Sequence, residues 1–96
     1  VVADAEDDEI LRRWLYGNVG VEHLSEAQAK QMVAAAERRV QRAGKRYEEQ
    51  AKLVAQGVLP KAQADEVEKE IAARRLTLQL AENRARIFEE LLAMAK

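Results

Sequence analysis

Ninety-six residues, 48% hydrophobic and 34% charged with one proline and four glycines, describe a single domain spanning 1–96. Sixteen basic and seventeen acidic side chains leave a net charge of −1, which excludes sequence-wide attraction to nucleic acid or to an anionic membrane. The absence of cysteine excludes a disulfide framework and a thiolate zinc site, and no apolar run approaches the ~20 residues of a membrane span.

Alanine fills eighteen positions, favouring closely packed helices, and the glycines and proline group around 17–24 and 57–60, which predicts three helices. The first, about Asp4 to Tyr16, places Asp7, Asp8 and Glu9 near the positive end of its dipole and carries Ile10, Leu11, Trp14 and Leu15 as an apolar face. Gly17-Asn18-Val19-Gly20 reads as a turn. Ser25 followed by Gln28 is a capping-box pair and predicts the start of the second helix.

That helix, about 25–56, spaces Ala29, Val33, Ala36, Val40, Ala43, Tyr47, Gln50 and Val54 alternately four and three residues apart. A seam of period 3.5 keeps one face toward a partner helix. Gly44 stands beside this seam, where close packing would explain its cost of about 1 kcal/mol relative to alanine. Gly57 suits a left-handed helix end and Pro60 the first turn of the helix that follows.

The third helix, about 60–95, repeats the seam through Ala64, Val67, Ile71, Arg74, Leu78, Ala81, Ala85, Phe88, Leu92 and Ala95. Two matched helices joined by so short a turn must lie antiparallel, giving a hairpin roughly 50 Å long at ~1.5 Å per residue. The expected fold is therefore all-α: a long antiparallel coiled-coil hairpin with a short N-terminal helix packed at its base. There it forms a three-helix bundle, and the tip, from about Tyr47 to Glu70, protrudes as two helices alone. Leu76, Leu80, Ile87, Leu91 and Met94 form a second apolar stripe on the third helix, beside its seam. Either the first helix covers this stripe, or the stripe pairs copies of the chain.

Catalysis is not expected. His23, Ser25 and Thr77 are the only residues of their types, and Ser25 already has a capping role. His23 falls in the predicted turn, and Gly20 stands where a Glu-x-x-His metal pair needs its acid, so neither a metal nor a cofactor is expected. The acids Asp65, Glu66, Glu68 and Glu70 lack the spacing of a calcium loop; helix-dipole complementarity and Asp65–Lys69 pairing account for them. The second helix is locally basic through Lys30, Arg38, Arg39, Arg42, Lys45, Arg46 and Lys52. No aromatics interleave for base stacking, and the acidic segment 1–24 is an internal partner for that charge, so nucleic acid is not expected.

The run Tyr47-Glu48-Glu49-Gln50-Ala51-Lys52-Leu53-Val54-Ala55-Gln56-Gly57-Val58-Leu59-Pro60-Lys61-Ala62-Gln63-Ala64-Asp65 resembles the hairpin tip of bacterial periplasmic adaptor proteins, also called membrane fusion proteins. That family uses the tip to meet the helical end of an outer-membrane channel in efflux and secretion assemblies. By this resemblance Leu53 matches the tip leucine and Pro60 occupies the position of the tip serine. Glu49 stands where the family places an arginine, and Arg46, one heptad before Leu53, is a substitute for it. The resemblance covers about Ala43 to Ala85 and implies a periplasmic location, a helical protein partner and no direct membrane insertion.

Two functions follow as expectations. One is a non-enzymatic interaction module whose tip, formed by Arg46, Leu53, Gly57, Val58, Leu59 and Pro60, contacts a helical partner. The other is a homo-oligomerisation domain that uses Leu76, Leu80, Ile87, Leu91 and Met94.

Overall fold

The computed structural model describes residues 2–17, 20 and 23–95. Three helices appear in order, α1 (Val2–Trp14), α2 (Glu26–Ala55) and α3 (Lys61–Ala95), and no strand occurs among the described residues. The helix bounds agree with the sequence reading to within the usual fraying of helix ends. Asn18 and Val19, in the expected first turn, lie outside the described residues.

The capping box forms as its residue types predict. Ser25 Oγ accepts from the Gln28 amide at 3.1 Å, and the Gln28 side chain accepts from the Ser25 amide at 2.9 Å. At the other end of α2, the Val58 amide donates to the Leu53 carbonyl at 2.9 Å and the Gly57 amide to the Val54 carbonyl at 3.0 Å. These two bonds make a Schellman motif, and they require the left-handed φ of 76° that Gly57 adopts without a Cβ penalty. Pro60 immediately precedes α3, its carbonyl accepting from the Gln63 amide at 3.1 Å.

α2 and α3 pack antiparallel along the heptad seam. Ala29, Ala36 and Ala43 of α2 and Ala64, Val67, Ile71, Ala81 and Phe88 of α3 are buried, and the molecule measures 59 × 23 × 18 Å. The predicted tip is indeed two helices alone, held by a small cluster of Ala43, Val67 and Ile71 with Tyr47 against it.

α1 lies at the base, where its Leu11 joins Met32, Ala35, Ala36 and Ala81 in the largest apolar cluster and Trp14 packs toward Leu24, Ala29 and Phe88. Met32 and Ala35, fully buried, are absent from the heptad seam; they cluster with Leu11 of α1 as well as with Ala81 of α3.

Two expectations need correction. α1 does not cover the second stripe of α3, because its buried face is directed at α2 and at the seam-side residues Leu78, Ala81 and Ala85; Leu76, Leu80, Ile87, Leu91 and Met94 all remain exposed. Gly44 is not explained by packing: a Cβ built there meets no atom within 4 Å. The acidic N-terminal segment meets the basic second helix as its charge implies, Asp7 and Asp8 both reaching across to arginines of α2.

Candidate functional site

The polar contacts between the helices fix which surfaces remain available. Asp4, Asp7 and Asp8 stand at three- and four-residue spacing on α1 and share one face with Leu11 and Leu15. Arg42, Arg39 and Arg38, followed by Ala35 and Met32, run at matching spacing in the opposite direction along α2. Antiparallel alignment therefore sets acid against arginine in the first half of α1 and apolar side chains against each other in the second.

Arg38 donates to Asp7 at 2.8 and 3.1 Å, Arg39 pairs with Asp8 at 2.8 Å, and Arg42 bridges Asp4, at 2.8 Å, and Asp7. Asp7 is only 3% exposed. Burial alone would raise the Asp7 carboxyl, but the hydrogen bonds from Arg38 and Arg42 outweigh it and hold the group below its ordinary value. Asp4 behaves alike, burial being overcome by Arg74 and Arg42. Arg42 is held above its ordinary value, chiefly by the hydrogen bond to Asp7.

Arg74, the one charged residue in the α3 seam, is explained by the same belt. Its buried guanidinium donates to the Arg39 carbonyl at 2.8 Å and to both Asp4 oxygens at 3.3 Å, and it pairs with Glu70 at 2.7 Å. A buried charge is tolerated when its donors are matched in this way. Much of the basic charge of α2 is thus engaged by acids of α1 and α3, as expected from the acidic N-terminal segment.

At the tip, Gly57, Val58 and Pro60 are exposed, Val58 at 64%, whereas Leu53 and Leu59 are half-buried. Arg46 does not reach the turn. It donates to Glu70 at 2.7 Å, so the structure brings Leu53, Gly57, Val58, Leu59 and Pro60 together and leaves Arg46 on the shaft.

The remaining surface is the α3 stripe, where Leu76 is 60% and Met94 80% exposed. Tyr16 extends it, its hydroxyl 3.3 Å from Thr77 Oγ1. A shallow depression between Leu15, Tyr16, Leu80, Asn83 and Ile87 joins α1 to the stripe. Sequence gives no sign of Tyr16, which follows the apolar face of α1, because its link to Thr77 joins positions 61 residues apart.

Among the described residues no three His, Cys, Asp or Glu side chains gather as metal ligands, and no described helix is long and apolar enough to cross a membrane. No protein-family model, curated protein or solved structure matches the chain.

Proposed function

We propose that the chain is a non-enzymatic helical interaction module that pairs with a second copy of itself through the α3 stripe. The observation that carries this reading is the exposure of five apolar side chains along one face of α3 that α1 leaves open. Single exposed leucines are ordinary; a row spanning Leu76 to Met94, roughly 27 Å at ~1.5 Å per residue, is an interface-like feature.

The spacing of the row favours a second copy as its occupant. In an isologous two-fold contact, residue i meets j while j meets i. Antiparallel pairing of two α3 helices centred near Ala85 sets Leu76 against Met94 of the other copy, Leu80 against Leu91 and Asn83 against Ile87. The row is therefore close to its own complement when reversed. Asn83 interrupts the row between Leu80 and Ile87 without bringing a charge, and Arg84 stands at its edge.

Self-association makes the melting temperature rise with protein concentration. Leu80→Glu combined with Ile87→Glu, both at exposed positions, is expected to abolish that dependence while leaving helical content unchanged. A concentration-independent melting temperature in the parent chain would refute the reading.

A second reading follows from the adaptor-like turn and is supported by the exposed Val58. Here Leu53, Val58 and Leu59 contact the helical end of a partner, in the manner of an envelope efflux or secretion assembly, with Arg46 contributing only if it leaves Glu70. Its test is Val58→Glu: partner capture by a tip-only contact is lost, whereas self-association through α3 is untouched.

A further inference from the structure

Opposite α1, the same two long helices leave a second groove. Ala29, Val33, Ala34, Ala85 and Phe88 line it and it encloses about 270 Å³, with Glu26, Lys30, Glu37 and Glu89 along its edges. At 3.6 residues per turn, α2 positions 30, 33 and 37 lie roughly opposite positions 35, 38 and 42, which face α1.

The seat of α1 demonstrates how this hairpin receives a helix. Small residues, Ala35, Ala36 and Ala81, admit its apolar ridge, and arginines of α2 and α3 take its carboxylates. The second groove repeats the small-residue floor but inverts the charge, with three carboxylates against one ammonium, Lys30, which already pairs with Glu26 at 3.5 Å.

We propose that this groove binds a basic amphipathic helix of a protein partner. Leucine or alanine side chains at three- and four-residue spacing enter between Val33 and Phe88, and lysines or arginines on either flank meet Glu37 on α2 and Glu89 on α3. In a second copy α1 is acidic along its packed face, and Arg38, Arg39 and Arg42 of α2 are engaged with that face, so neither element supplies such a helix. The groove and the α3 stripe lie on opposite sides of α3, so both contacts can form together.

The test titrates the whole chain into a labelled, capped peptide about 15 residues long, near the length at which isolated helices become marginally stable. One peptide carries a leucine–alanine ridge flanked by lysine; its counterpart carries glutamate in the same places. Fluorescence anisotropy is expected to show the basic peptide bound at least tenfold more tightly, with the difference shrinking as salt rises. Glu37→Lys combined with Glu89→Lys, both at exposed positions, should reverse the preference, and Ala34→Trp, which fills the floor, should weaken binding at least tenfold. Leu80→Glu with Ile87→Glu should leave peptide binding unchanged, separating this site from the α3 stripe. Equal affinity for the two peptides, no binding of either, a preference that survives the double charge reversal, or parental affinity in the Ala34→Trp variant would overturn the proposal.

Discussion

Replacing Asp7 by asparagine removes the central charge of the belt with little change in shape. Asp7 accepts from Arg38 at 2.8 and 3.1 Å and from Arg42, and it is buried. Charge-assisted hydrogen bonds contribute about 1.5–3 kcal/mol each, and breaking a buried pair by removing one partner costs about 3–5 kcal/mol. Two features hold the loss toward the lower end: Arg42 keeps Asp4 at 2.8 Å, and the Arg38 side chain is 48% exposed and can be rehydrated. The expected loss is about 3 kcal/mol, measured by urea denaturation followed through Trp14, the only tryptophan and a residue packed at the α1 seat. The pH dependence follows from the lowered Asp4 and Asp7 carboxyls. The folded state binds fewer protons than the unfolded chain as pH drops through the ordinary carboxylate value near ~3.9, so their contribution is complete above it and disappears as pH falls through the lower folded values. Asp7→Asn should flatten this acid limb. A variant within about 0.5 kcal/mol of the parent, the scatter of ordinary surface changes, or one with the parent's acid limb, would refute the reasoning.

The two glycines of the α2 half of the hairpin should respond in opposite directions to alanine. Gly44→Ala fills open space in mid-helix and should stabilise by about 0.5–1 kcal/mol, whereas Gly57→Ala, at a φ of 76°, should destabilise by about 1 kcal/mol; both read as shifts in denaturation midpoint. Ala36→Leu inserts volume where no surface is exposed and should cost about 1–3 kcal/mol in the same assay. Trp14→Ala should cost about 3 kcal/mol, because the half-buried indole spans both apolar clusters at the base; calorimetry showing parental melting would mean that α1 contributes nothing to stability.

The hairpin was legible because its signal is local and dense. Ala29, Ala36 and Ala43 recur at heptad spacing, Gly57 and Pro60 punctuate the turn, and Ser25 with Gln28 marks a helix start with a specific pair of bonds. Arg74 stood out as the charged member of an apolar seam, although its partner Asp4 lies 70 residues away along the chain. The seat of α1 was harder to read. Hydropathy registers Ile10, Leu11, Trp14 and Leu15, and the acidity of segment 1–24 marks it as a partner for the basic second helix without saying which acid meets which arginine. Only the antiparallel alignment of α1 with α2 assigns Asp4, Asp7 and Asp8 to Arg42, Arg38 and Arg39. Met32 and Ala35 were missed for a like reason: they cluster with Leu11 of α1 as well as with Ala81 of α3. Arg46 carries a related lesson, since heptad spacing placed it on the Leu53 face without revealing that Glu70 engages it.

The stripe from Leu76 to Met94 decides the functional account, because the fold leaves its apolar side chains exposed. The most direct measurement is molar mass in solution by light scattering over a wide range of protein concentrations, on the parent chain and on the Leu80→Glu, Ile87→Glu variant. The account predicts a parent mass that climbs from monomer toward dimer with concentration and a variant that stays at the monomer mass of 10.8 kDa throughout. A parent chain that remains monomeric at every concentration, or a variant that associates as the parent does, would contradict it.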